Sequence, residues 1–169
     1  MRADEADRAA SFGEFFDAQR RPALRLAYVL TGNAAEAEDV VAEAFARVYP
    51  HWMKGQVKEP NAYVRRTVIN VVNGRFRRLA TRRRHDERVR LGEPSVAFGD
   101  DRIMQRATLE AALAVLPPRQ RAAVVLRVIE DMSEAETARV LGVSVGTVKG
   151  YLSRGLERLR AELADEAPV

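Results

Sequence analysis

The chain has 169 residues, 47% of them hydrophobic, a formal net charge of +4 and no cysteine. That length suits one ordinary domain or two small ones, and the missing cysteine excludes a disulfide framework, a thiolate metal site and a cysteine nucleophile. No apolar run approaches the roughly 20 residues of a membrane helix, and the charged start MRADEADRAASFGEFF lacks the apolar core of a signal peptide, so a cytoplasmic protein without membrane insertion is expected.

Strand signals are almost absent, and the chain reads as all-α. Phe12, Phe15, Phe16, Leu26, Ala27 and Leu30 recur at helical period, and Gly32 stops this first helix. Asn33 caps the second helix, with Glu36 at the capping-box position. Its buried stripe is Ala37, Val40, Val41, Ala44 and Val48, and Pro50 is expected to end it. Glu38, Asp39 and Glu43 project carboxylates from the same helix; taken alone, such a run reads as a solvated face. A loop over 51–59 follows, holding Trp52 and Gly55.

Pro60 suits the first turn of a third helix. Val64, Val68, Val71, Val72, Phe76 and Leu79 face inward, and Arg65, Arg66, Arg75, Arg77 and Arg78 face outward. The basic excess is concentrated here: residues 61–90 hold ten arginines against Asp86 and Glu87. Arginine suits bidentate phosphate contacts, and Arg82, Arg83 and Arg84 extend the patch. Tyr63, Trp52, Asn70 and Asn73 add aromatic and amide groups of the kind that stack on and read unpaired bases. Trp52 fits a core position equally well. These three helices can close one small core. Residues 81–103 have no sustained period, and their later part reads as a flexible linker.

A further helix is expected from Asp101, with Ile103, Ala107, Leu109, Leu113 and Leu116 inward, until Pro117-Pro118 breaks it. Ala122, Val125, Leu126 and Ile129 mark the next helix. Then comes the layout of a helix-turn-helix. Ser133 with Glu136 forms a capping box, Gly142 ends the short helix, and Ser144 caps a long one. Val145, Val148, Leu152, Leu156, Leu159 and Leu163 form the apolar stripe of that last helix. Gly146, Thr147, Lys149, Gly150, Ser153 and Arg154 share its other side. Small residues there let the backbone approach DNA, and the polar ones reach phosphates or base edges. Two packed amphipathic helices with a solvated face would show part of this pattern, without the basic and small outward residues.

These modules together resemble the extracytoplasmic-function (group 4) sigma factors of the sigma-70 family. Three segments carry the resemblance: AEAEDVVAEAFARVY at 35–49, PNAYVRRTVINVVNGRFRR at 60–78, and LPPRQR followed by GVSVGTVKGYLSRGLERLR towards the C-terminus. The resemblance implies a three-helix region 2-like domain at 11–84, a linker at 85–102 and a four-helix region 4-like domain at 103–165. It implies core RNA polymerase, through its clamp and flap, as partner, together with promoter DNA that is single-stranded at −10 and duplex at −35. An anti-sigma factor is a further partner open to such a protein.

By the same resemblance, polymerase docking falls to Glu38, Asp39, Val40, Glu43 and Phe45. Reading of −10 falls to Trp52, Tyr63, Arg65, Arg66, Asn70, Asn73, Arg77 and Arg78. Reading of −35 falls to Ser144, Gly146, Thr147, Lys149, Gly150, Ser153 and Arg154. The chain departs from the family pattern at Ala42, Tyr63, Asn73-Gly74, Gly150 and Gly155, so the promoter sequence stays open. Gly150 and Gly155 are each expected to weaken the helix by up to about 1 kcal/mol against Ala.

Two other classes share parts of the pattern. The C-terminal block also looks like the helix-turn-helix of a free-standing regulator with a LuxR-type output domain, but that reading needs a sensory N-terminal domain. An enzyme would need a catalytic motif. His51 and His85 lie in no HExxH or ExxH pattern, and there is neither a GxSxG nor a GxxxxGK[ST] loop. No catalysis, cofactor or metal is expected.

Overall fold

The computed structural model describes residues 2–85 and 111–165, and no strand occurs among them. Most of the expected linker, the helix start near Asp101 with Ile103, Ala107 and Leu109, and the side chains of Leu79, Arg82, Arg83, Arg84 and Leu163 lie outside the described residues.

Helix α1 spans Arg2–Thr31 and ends as expected at Gly32, whose φ of +69° suits a residue without a Cβ. Asn33 then caps α2, Ala34–Met53, its side chain accepting from the Glu36 N–H at 3.0 Å. Helix α2 runs a turn past the stop expected at Pro50. Proline's φ fits a helix, and the loss is one backbone donor. The final turn is held instead by Lys54 N–H to Pro50 O at 3.3 Å, and by the Trp52 indole donating to Arg8 O at 3.1 Å. Helix α3, Pro60–His85, begins at its proline.

In the C-terminal half, residues 111–114 are helical, and Ala112, Leu113 and Leu116 are buried. Helix α4, Pro118–Val124, passes directly into a π turn at Val125–Ile129. Helix α5 spans Glu134–Leu141 and α6 spans Val145–Asp165. Both hydrogen bonds of the Ser133–Glu136 capping box form, and Gly142 sits in the left-handed region at φ 66°, ψ 39°. The stripe of α6 buries Val148 and half-buries Leu152, Leu156 and Leu159, but Val145 is 39% exposed. Val145 is the first residue of α6, where the helix has not yet reached the core.

Helices α1, α2 and α3 pack through Leu26, Ala27, Leu30, Val40, Ala44, Val48, Val64, Val68 and Val72. The same apolar cluster continues into Leu113, Leu116, Val124, Leu126 and Val140. The two halves therefore touch, with α3 against α5 and α1 against the π turn.

Candidate nucleic-acid interface

The first turn of α6 is built by short-range chemistry. Ser144 Oγ accepts the Thr147 N–H at 3.1 Å and lies 2.8 Å from the Thr147 hydroxyl. Val143 N–H returns to Ala138 O at 3.1 Å, satisfying a carbonyl at the end of α5. Ser144, Gly146, Lys149, Ser153 and Arg154 are exposed, and Thr147 and Gly150 are half-buried beside them. Lys149 Nζ lies 3.6 Å from a Glu134 oxygen, so one basic group of the face is shared with α5. The Arg154 guanidinium leans over Gly150, where a Cβ would stand 3.4 Å from Nη2, and sits 5.9 Å from the Tyr151 ring centre.

Gly155 faces the other way. It is buried, and a Cβ there would come within 2.9 Å of Val124 Cγ2. The glycine that reads as a weak point in the helix is what lets α6 cross α4 closely. Nothing in local propensity distinguishes it from Gly150, because the neighbour that requires it lies 31 positions away.

The basic helix is arranged differently. Tyr63, Arg66, Asn70, Asn73 and Arg77 follow one another at three- and four-residue steps and share a face of α3. That face looks towards the C-terminal half. Asn70, Asn73 and Arg77 line a cleft of about 520 Å³ together with Pro117, Arg119 and Tyr151. Tyr63 and Arg66 line a second cleft opposite Gly142, Val143 and Ser144. Arg65 looks across a third towards Glu136 and Arg139. Arg78 is exposed and close enough to the Glu43 side to help hold its carboxylate ionised. Trp52 stands apart from this group. It stacks on Phe15 at 4.8 Å with the rings 23° apart and meets Phe12 at 5.7 Å. It packs among these rings while staying half-buried.

The acidic motif on α2 divides too. Glu38 and Asp39 are exposed. Val40 is 0% and Phe45 4% exposed, so neither is available to a partner, which corrects their place among the docking residues. Phe45 packs edge-on to Phe16 at 4.7 Å; its position on the helix turns it inward with Val41 and Val48. Tyr49, 41% exposed beside Phe12, is the aromatic that remains at the surface. Glu43 pairs with Arg47 and, at 3.0 Å, with Arg75 of α3. The hydrogen bond from Arg75 outweighs the cost of burial and, with the charges of Arg47, Arg75 and Arg78, holds the Glu43 carboxyl below its ordinary range.

No group of three or more metal-ligating side chains forms among the described residues. No helix among them is long and apolar enough to cross a membrane.

Comparison with known proteins follows this division. Residues 15–83 match Sigma-70 region 2, and residues 106–159 match Sigma-70, region 4. The RNA polymerase sigma-E factor of Streptomyces coelicolor is 38% identical over 153 residues, which cover 90% of this chain and 85% of that one. The ECF RNA polymerase sigma factor SigW of Bacillus subtilis is 28% identical over 168 residues, 92% of this chain and 90% of that one. Among solved structures, the sigma factor RpoE in complex with the anti-sigma factor NepR from Bartonella quintana superposes with a TM-score of 0.70 at 18% identity, over 93% of this chain and 99% of that one. The fold is therefore that of a two-region sigma factor. The chain belongs to the extracytoplasmic-function sigma factors of the sigma-70 family. The region 2 match occupies the place where a free-standing regulator would need a sensory domain, which removes that alternative.

Proposed function

We propose that this chain is a cytoplasmic promoter-specificity subunit that binds core RNA polymerase, reads duplex −35 DNA with α6 and holds the melted −10 strand with α3. It catalyses no bond change; the polymerase does the chemistry. The observation that carries this reading is the solvent-facing first turn of α6, fixed by the Ser133 and Ser144 caps and Gly142. It lies downstream of a basic helix, in the order region 2 then region 4.

In this reading Thr147, Lys149, Ser153 and Arg154 contact −35 phosphates or base edges, and Gly146 and Gly150 allow the backbone to come close. Tyr63 stacks on an unpaired −10 base, Asn70 and Asn73 read pairing edges, and Arg65, Arg66, Arg77 and Arg78 track the strand. Glu38 and Asp39 dock on a basic polymerase surface. Linking two weak readers raises overall affinity without new contacts. The fold shared with a sigma factor solved together with an anti-sigma factor is consistent with control by such a partner.

Run-off transcription with sigma-free core polymerase on a promoter library tests this. Defined start sites that depend on the chain are expected. Their absence, where a known relative succeeds under the same ionic conditions, would overturn the reading.

A further inference from the structure

Two glycines stand on the proposed DNA-facing side of α6, and they are not equivalent. At Gly146 a Cβ would meet only Ser144 Oγ, at 3.8 Å, so that stretch of backbone lies open. At Gly150 a Cβ would stand 3.4 Å from Nη2, 3.6 Å from Nη1 and 3.8 Å from Cζ of Arg154. The gap left by this second glycine is already occupied by a guanidinium. We propose that Gly150 is a specificity-determining residue that acts through Arg154: together with Tyr151 it guides the guanidinium to one base pair of the −35 element. This rests on the reading of α6 given above.

Helix geometry produces the arrangement. Cα–Cβ bonds tilt towards the N-terminus, so a long side chain lies over the turn before its own. For Arg154 that turn holds residue 150. An alanine Cβ there would just reach van der Waals contact, whereas a γ atom would enter the volume the guanidinium holds. Tyr151, the next residue, is half-buried. Its ring centre lies 5.9 Å from Arg154 Cζ, within the range of cation–π attraction. Gap and ring together carry the charge about one turn, roughly 5 Å, towards the start of α6. The start of a recognition helix is the part that meets base edges.

Charge pairing singles out the same side chain. Residues 144–154 hold two basic groups, Lys149 and Arg154. Lys149 Nζ lies 3.6 Å from Glu134 Oε2. Arg154 enters no hydrogen bond and no ion pair among the described residues. Packing orients its guanidinium and leaves the N–H donors available. Two parallel donors of a guanidinium match O6 and N7 of guanine in the major groove. The position that Arg154 reads is accordingly a guanine–cytosine pair.

A promoter library randomised across −35, transcribed by core polymerase carrying the full chain or a variant, tests the guide. Arg154→Ala should flatten the guanine preference at one position about tenfold. Gly150→Leu should flatten the same position to a like degree, and adding it to Arg154→Ala should cost nothing further. Gly150→Ala should keep the preference. Leucine favours a helix over glycine, so Gly150→Leu should unfold at a temperature no lower than the unaltered chain, which separates the effect from misfolding. Transcription lowered evenly at all positions by Gly150→Leu, a further loss in the double variant, or an equal loss from Gly150→Ala would each overturn the guide and leave Gly150 to backbone approach alone.

The guide can also be measured in the free chain. The Arg154 Nε–H signal, identified by its absence in Arg154→Ala, should show a higher heteronuclear NOE than that of Arg158, which is exposed on the same helix. Gly150→Leu should bring it down to the Arg158 level. An Arg154 signal as mobile as that of Arg158 in the unaltered chain would overturn the guide whatever the promoters show. Absent start sites with the NOE difference intact would instead strike the proposed function.

Discussion

The two DNA-facing helices, α3 and α6, reach their positions by different physics. The α6 face is assembled from neighbours in sequence: two serine caps, one left-handed glycine and small residues, all within 133–150. It points to solvent. The α3 face is regular in composition and period, yet its surroundings come from residues 40 to 90 positions away, on α4, α5 and α6. A locally built surface takes its shape from its own neighbours in sequence. A surface shared between halves takes its surroundings from how they meet.

The largest expected effect removes the support behind the α6 face. Gly155→Val pushes a branched side chain into Val124 and should cost about 1–3 kcal/mol of stability through overpacking. Thermal unfolding followed by circular dichroism measures it, and Gly150→Ala is the control that should not lose comparable stability. Next, Arg154→Ala should weaken −35 duplex binding by roughly 1–3 kcal/mol if Arg154 makes a bidentate base contact. Arg66→Ala should lower affinity for single-stranded −10 DNA severalfold and leave −35 duplex binding unchanged, which separate binding assays on the two DNAs measure.

Ser133→Ala removes the capping box and should cost about 1 kcal/mol, seen as a lower denaturation midpoint with an unchanged slope. The smallest effect concerns pH. Arg75 depresses the Glu43 carboxyl, so folding favours the ionised form. The associated stability is fully present above the ordinary carboxylate pKa and is lost as pH falls through the lowered value. At this half-buried surface pair it amounts to about 1 kcal/mol or less. Glu43→Gln should flatten acid unfolding slightly and leave neutral stability almost unaltered.

Periodicity and end chemistry made most of this molecule legible. The stripes of α1, α2 and α3, the stops at Gly32 and Gly142, and the caps at Asn33, Ser133 and Ser144 all depend on residues a few positions apart, and they appear where the residue pattern put them. Pro50 shows the limit of such rules: Trp52 anchored on α1 holds a turn that proline alone would have ended.

Packing settled the rest. Phe45 and Val40 turn inward because α1 lies against that side of α2, and Trp52 joins Phe12 and Phe15 for the same reason. The π turn at Val125–Ile129, the need for glycine at 155 and the engagement of Arg66 with α5 follow from which helices meet. A helical period says which residues share a face. What lies opposite that face depends on chain segments far away in sequence, and no local pattern encodes it.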